Sequence, residues 1–497
     1  MKNRIKQYLL AASMCVGLTA CSDFFEPIPG VQFGLDETFA SKQRTEEYLN
    51  NVYSYVREVT DAIHPNTYGG IFTEASLDGA NRWNKTYAEW TNGSFNSASA
   101  QASEYFSKYY QAIAKASTFI QNVDKCTEAA ASTRGKWKSE ARALRAYYYF
   151  ELLRLYGPIP LIGEDPIPLD ASLEELIKER NSVDECVNFI ATELQSAIDS
   201  GDLLQRAGKA NLGRMDVATC MALKAKLYLY WASPLFNGNT DQASVKNKDG
   251  KQLFPQTEDN SKWTQARDAY ERFMTFATGQ GYKLTEVYTN GKLDPYASCR
   301  AAGEFFTTTW EAVDELIFVK LRDLYDYTYW VCPKFTDFQD TDVTGGGGYY
   351  TTQETVDLFF TKDGLTIEED PGYDKFEGIP GANNFTSGRY YDPNNPSRLY
   401  FDADKSKVLK QWKDREPRFY VNITYSGSIW LNEGKYNEEM RTDFTNGANG
   451  TCGKSKASGD CPDSGYLIRR GAKASNNNGS KHFSPVLRLA DMYLGYA

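Results

Sequence analysis

Between Asp78 and Asn92 the chain places two indoles, Trp83 and Trp90, among Asp78, Arg82 and Asn92. A second aromatic cluster follows much later, at Tyr325, Tyr327, Tyr329 and Trp330. Flat rings beside carboxylate, guanidinium and amide groups suit a ligand with apolar faces and hydroxyl edges, as a pyranose has. Its C–H faces lie on the rings while its hydroxyls take the planar polar partners. Such a constellation holds a ligand and breaks no bond. For each of these residues the competing use is packing between loops and scaffold.

Reactions that make or break bonds find fewer residues to work with. The 497 residues include only 2 His, His64 and His482, too few for a multi-His metal site or a pair of catalytic imidazoles unless the two meet. The run Ala448-Asn449-Gly450-Thr451-Cys452-Gly453-Lys454-Ser455 fits a relaxed phosphate-loop pattern. It lacks the strand before and the helix after that would aim its N–H groups at a phosphate. Carboxylates such as Glu311, Asp314 and Glu315 are plentiful, yet a glycosidase needs two of them facing each other across a sugar, which spacing alone does not supply. Neither a G-x-S-x-G elbow nor an H-E-x-x-H helix occurs. Asp340, Asp342, Asp363, Asp392 and Asp402 carry no EF-hand order and read as solvated loop charge, so no metal or cofactor is expected.

Composition narrows the partners. With 55 Lys+Arg against 65 Asp+Glu the net charge is −10, and no basic face is evident for nucleic acid. Charged residues at 24% and hydrophobic ones at 41% describe a globular chain. The aromatic content of 14%, with 34 Tyr against 27 Phe, is the unusual quantity. Tyrosine combines an apolar ring with a hydroxyl and so serves both helix packing and half-wet binding surfaces.

The amino terminus carries Lys2, Arg4 and Lys6, then an apolar stretch from Tyr8 to Ala20 that is too short to span a bilayer, then Leu18-Thr19-Ala20-Cys21. This is similar to a bacterial lipoprotein signal, with Cys21 as the acylated residue. The acidic Ser22-Asp23-Phe24-Phe25-Glu26 behind it resembles a surface-export signal of Bacteroidetes lipoproteins. Of 9 Cys, Cys452 and Cys461 bracket a short polar loop and are the candidate disulfide.

Helical spacing of apolar residues predicts helices over 44–59, 103–123, 137–155, 184–200, 216–233 and 263–277. In the third, Trp137, Ala141, Leu144, Tyr148, Leu152 and Leu155 keep one apolar stripe, and Gly157-Pro158 stops it. Asp216 is the expected cap of the fifth and Pro234 its terminator. Successive amphipathic helices suggest a mainly α, tetratricopeptide-like α-α superhelical scaffold, because each pair buries its stripe only against the next. Glu315–Leu321 and Arg418–Tyr425 read as short strands between turn signals, and Pro485–Ala497 as a helix.

The helix Ser139-Glu140-Ala141-Arg142-Ala143-Leu144-Arg145-Ala146-Tyr147-Tyr148-Tyr149-Phe150-Glu151-Leu152-Leu153-Arg154-Leu155-Tyr156-Gly157-Pro158-Ile159-Pro160-Leu161 resembles the signature helix of the SusD/RagB family of surface nutrient-binding lipoproteins. Four further stretches agree in order: Gly213-Arg214 with the helix after it, Val356-Asp357 to Asp363-Gly364, Arg415-Glu416-Pro417-Arg418-Phe419, and Pro485 to Ala497.

The resemblance implies a SusD-like fold in which a helical scaffold carries an irregular ligand region. It implies a SusC-like TonB-dependent transporter as partner, attachment to the outer membrane through the lipid, and exposure at the cell surface. The expected order is a signal peptide at 1–20, a lipidated linker at 21–37, and a scaffold at 38–277 with a ligand loop inserted at about 60–100. A loop-rich region at 278–484 and the start of a C-terminal helical segment at 485–497 follow, and family members usually continue past this point. The expected function is non-catalytic capture of an oligosaccharide and its delivery to the transporter. Capture of peptides is the nearest alternative, ahead of a scaffold without a ligand or a surface glycoside hydrolase.

Overall fold

The computed structural model describes residues 34–57, 76, 79–81, 93–165, 167, 171–303, 314–323, 331–335, 345–375, 378–430, 441–444, 452–453, 460–469 and 481–497. The helical half begins with α1 (Leu35–Ala40), α2 (Lys42–Ser54), α3 (Ala100–Asn122) and α4 (Ala131–Tyr156). It continues with α5 (Val183–Asp199), α6 (Val217–Ala232) and α7 (Ser261–Gly279). From α3 to α7 each helix packs on its successor, and α2 lies against both α3 and α4. This is the stacking expected of tetratricopeptide-like pairs.

Local chemistry sets the ends of these helices. Ser182 and Glu185 exchange hydrogen bonds across the first turn of α5, with Ser182 N to Glu185 Oε2 at 2.7 Å and Glu185 N to Ser182 Oγ at 3.3 Å. Asp216 caps α6 as expected: its carboxylate accepts from Thr219 N and from Ala207 N, both at 2.7 Å. α4 stops at Gly157, whose φ of 67° and ψ of −135° suit glycine, and a Cβ there would stand 3.1 Å from the Phe254 ring.

The stripe read along α4 is present, but the helix is buried far beyond one face. Tyr147, Tyr148, Tyr149, Phe150 and Leu153 are all enclosed, as are Glu140, Arg145 and Glu151. α4 is the central helix of the scaffold, so its polar groups find partners inside it. The Tyr149 hydroxyl donates to Ile162 O at 2.8 Å, and Tyr53 on α2 donates to Glu140 at 2.9 Å. Glu193 on α5 takes Arg145 Nε at 2.7 Å and Arg142 Nη1 at 2.8 Å. Ions withdrawn from water this far are tolerated only when so paired, since each carries a desolvation penalty of several kcal/mol.

Downstream come β2 (Tyr288–Thr289) with β3 (Lys292–Leu293), then α8 (Pro295–Gly303) and β4 (Leu316–Asp323). β4 pairs antiparallel with β10 (Lys481–Arg488), from Lys481↔Asp323 to Arg488↔Leu316. This two-stranded stem rests on the helices: Phe318 meets Tyr147 edge to face at 5.9 Å, and Lys320 Nζ donates to Ser54 O at 2.8 Å. α11 (Leu489–Tyr496) then packs on α7 and α6. The helix expected from Pro485 therefore starts at Leu489, because the residues before it are spent on the stem.

Arg418–Tyr425, read as a strand, divides into the short helix α10 (Pro417–Asn422) followed by a strand over Ile423–Tyr425. Glu416 at the cap and Pro417 at the first helical position start the turn, overriding the β-favouring Phe419, Tyr420 and Val421.

Of the carboxylates weighed for catalysis or metal binding, Glu311, Asp340 and Asp342 lie outside the described residues, while Asp314, Glu315, Asp392 and Asp402 have structural partners. Asp314 pairs with Arg206 at 2.8 Å, Asp392 with Arg398 at 2.5 Å and Asp402 with Arg389 at 3.0 Å. Glu315 accepts from Thr285 N at 2.9 Å and faces Arg488 at 3.5 Å.

Candidate functional site

The loop-rich half is organised by a four-stranded sheet in the order β1 (Ala80–Asn81), β5 (Tyr349–Tyr350), β9 (Tyr466–Ile468), β8 (Ile423–Tyr425). β1 lies in the chain between α2 and α3. Ala80 lies opposite Tyr350 and Asn81 opposite Tyr349, so the chain directly before Arg82 and Trp83 is an edge strand of the other half. The chain that follows the second cluster reaches the residues just before β5. Val331 and Cys332, which follow Trp330, are buried, and Cys332 O accepts from Gly347 N at 2.9 Å two residues before β5. Gly347 has a φ of 59°, and a Cβ on it would fall 2.9 Å from Asp460 O and 3.0 Å from Lys334 N. The glycine run at 345–348 is thus the point where three chain segments touch.

The residues singled out in the sequence lie outside the described ones: Asp78, Arg82, Trp83, Trp90, Asn92, Tyr325, Tyr327, Tyr329 and Trp330, together with Cys21. Of their described flanks, Ala80–Asn81 pairs with β5 and Cys332 bonds to Gly347, two residues before it. Cys452 and Cys461 are both buried, and Cys332 is buried close to Cys452. Burial, with Cys452 adding to it, pushes the Cys332 thiol well up.

Beneath the sheet an aromatic core of Tyr400, Tyr420, Phe419, Tyr425, Trp412 and Tyr466 fills the interior. Tyr400 and Tyr420 stack at 3.9 Å with an interplanar angle of 7°. Arg415, itself 2% exposed, ties this core to α9 (Gln353–Asp357) and the turn after it. Its guanidinium donates to Val356 O at 2.8 Å, Phe359 O at 2.7 Å, Phe360 O at 3.4 Å and the Tyr373 hydroxyl at 2.9 Å. Glu416 accepts from Phe360 N at 2.9 Å. Two of the stretches that carried the family resemblance are therefore donor and acceptor of one clamp.

Burial pushes the Tyr373 phenol up to about 12, against the opposing pull of Arg415. It therefore stays protonated and donates to Gln411 O at 3.1 Å. Above the clamp opens a cavity of about 380 Å³, walled by Trp412, Tyr466 and Phe444 and edged by Gln411, Ser426 and Ser464. Its aromatic wall is fixed by a relay in which Trp412 Nε1 donates to Tyr466 OH at 3.0 Å and Tyr466 OH donates to Gln353 at 2.8 Å. Sequence reasoning missed this cavity because its walls come from separate stretches. The only pointer was Arg415 in its conspicuous motif, which stands three residues after Trp412.

The model of the SusD family matches residues 315–497, and a model described as "Starch-binding associating with outer membrane" matches residues 32–229. The chain belongs to the SusD/RagB family. A SusD-like protein of Bacteroides ovatus is 27% identical over 175 residues, a match covering 34% of this chain and 30% of that one. The chain thus aligns with under a third of the length of this relative. Among solved structures, BT4246 superposes with a TM-score of 0.72 at 23% identity, covering 92% of this chain and 78% of its own. A SusD-like carbohydrate binding protein from Bacteroides fragilis NCTC 9343 superposes at 0.61 and 17% identity, covering 92% and 74%. These likenesses establish the SusD-like fold: a tetratricopeptide-like helical scaffold carrying the loop-rich region.

Proposed function

We propose that this protein is a non-catalytic, lipid-anchored surface binder that captures an oligosaccharide and passes it to a SusC-like TonB-dependent transporter. The observation that carries the reading is the convergence on β5, where the strand leading into the Asp78–Asn92 segment and the anchor behind Tyr325–Trp330 come together. This approach of Ala80–Asn81 and Cys332 to one strand supports reading the two aromatic and polar clusters, far apart in sequence, as parts of one composite sugar platform. The carbohydrate binding named for the B. fragilis neighbour, and the starch binding and outer-membrane association in the description of the matching family model, support the same reading.

The reading makes Trp83 and Trp90 stacking surfaces and Asp78, Arg82 and Asn92 hydroxyl partners, with Tyr325, Tyr327, Tyr329 and Trp330 completing the platform. If each indole contributes roughly 1–1.5 kcal/mol of stacking, the Trp83→Ala, Trp90→Ala double variant weakens glycan binding by about 30- to 150-fold. Calorimetry against plant, host and microbial glycans checks this. A folded double variant with full affinity removes these indoles from the site. Product release would revive a hydrolase, and heat only with peptides would replace the sugar by a peptide ligand.

The anchor has its own test. Cells fed labelled palmitate are expected to label the wild-type protein and not Cys21→Ala. Equal labelling of both would rule out Cys21 as the lipid site.

A further inference from the structure

The cavity above the Arg415 clamp has a feature that packing does not explain. Gln411 is only 7% exposed, and its main-chain carbonyl is taken by Tyr373 and Arg415. Its side-chain amide lines the cavity and meets no hydrogen-bond partner among the described residues. An amide without a protein partner in an open-mouthed, largely apolar pocket is left to water, which a ligand entering the pocket can replace with its own polar groups. Both its N–H₂ and its C=O are available, the pairing a sugar diol can meet as acceptor and donor together.

The walls agree with this. Trp412, Tyr466 and Phe444 supply ring surface, and the Trp412–Tyr466–Gln353 relay fixes two of those rings in place before any ligand arrives. The volume of about 380 Å³ lies at the small end of the range of about 300–1,000 Å³ for ligand pockets, fitting a short unit rather than a long chain.

Charge makes the assignment more specific. Among the described residues no lysine, arginine, histidine or carboxylate lines the cavity. Behind its polar edge stand two carboxylates and beneath it one guanidinium: Asp357 accepts from Gln353 Nε2 at 2.8 Å, Asp443 accepts from Ser426 Oγ at 3.5 Å, and Arg415 Nη1 donates to Gln411 O at 3.4 Å. An anionic ligand would meet no cation among the described lining residues, and the Arg415 fork is already spent on main-chain carbonyls and Tyr373.

We propose that this cavity is a second binding site, a subsite for one or two uncharged sugar rings read by the Gln411 amide, which selects neutral over acidic glycans. It rests on the glycan-capture reading and adds to it a chemical class of ligand and a location apart from the Asp78–Asn92 segment.

The test uses the whole mature chain and calorimetry with two probe sets, neutral hexaoses (gluco-, xylo- and manno-configured) and oligogalacturonates. For a neutral hexaose that binds the wild type, Gln411→Ala and Phe444→Ala are expected to weaken binding by about five- to tenfold each, and Gln411→Glu by more. Oligogalacturonates are expected to bind at least tenfold more weakly than the neutral probe. Gln411→Ala keeps the main-chain carbonyl that the clamp uses, and among the described residues Phe444 takes part in none of the clamp's hydrogen bonds, so Phe444→Ala carries the test should Gln411→Ala unfold.

If folded variants bind the neutral probe as the wild type does, the subsite is overturned while glycan capture stands. If the wild type prefers the acidic probe, the selectivity is overturned. If it binds no glycan of either set, the capture reading and the subsite fall together.

Discussion

Arg415→Met is expected to open the loop-rich half of the molecule while leaving the helices folded. Methionine fills much of the same space but donates nothing. The carbonyls of Val356, Phe359 and Phe360 and the Tyr373 hydroxyl then lose a charged donor in a place where water does not readily replace it. Stranding several buried acceptors at once costs on the order of 4 kcal/mol, at the upper end of single substitutions. Arg415→Lys is expected to recover little, since an ammonium on a flexible stem does not reproduce a planar fork. Limited proteolysis followed by mass mapping is the measurement, with new cleavage expected between Leu358 and Gln411 and none in α3 to α6. A wild-type cleavage pattern with an unchanged Tm would show that the clamp contributes no stability.

Glu193→Gln is the second large effect, and it acts on the other half. Arg145 has no exposed surface, and its main partner is the Glu193 carboxylate, which Arg142 also shares. The amide keeps the shape but removes the charge, leaving a guanidinium buried without its counter-ion. Breaking a buried pair in this way costs about 3–5 kcal/mol. The far-UV circular dichroism midpoint in urea is expected to fall accordingly. Replacing both partners, as Arg145→Met with Glu193→Leu, is expected to restore most of the loss, because the penalty comes from the unpaired charge rather than from the absent bond. A double variant as unstable as Glu193→Gln would contradict that account.

The same residues show what was and was not legible in the sequence. Helices α2 to α7 stand out because apolar side chains recur at helical spacing and the stops are local, as at Asp216 and Gly157. The centrality of α4 does not, because Glu140, Arg145 and Glu151 look like a solvated face until Tyr53, Glu193 and Arg154 are brought to them from elsewhere in the chain or along the helix. Pattern reading assigns charge to water by default. Only tertiary contacts reassign it.

The ligand region divides similarly. The aromatic and polar content of 78–92 and 325–330 is visible as composition, yet the pairing of the chain beside Arg82 with β5 depends on a two-residue strand, Ala80–Asn81, too short for any periodicity to register. The cavity at Gln411 left no signal beyond the nearby Arg415 motif, since its walls span residues 353 to 466 and each is unremarkable in its own neighbourhood. Arg415-Glu416-Pro417 showed as a motif, but its task of holding the turn after α9 emerges only from the hydrogen bonds.

The β4–β10 stem has a consequence for how such proteins diversify. Lys481 stands opposite Asp323, so everything between these two residues leaves the scaffold and returns to it at neighbouring points, joined to the earlier chain by contacts such as β1 on β5. The cost of closing a loop grows only logarithmically with its length. An insertion, a deletion or an exchanged segment above the stem therefore displaces no scaffold helix. Ligand preference can be rewritten by recombination above that boundary while the surface presented by the helices is inherited unchanged.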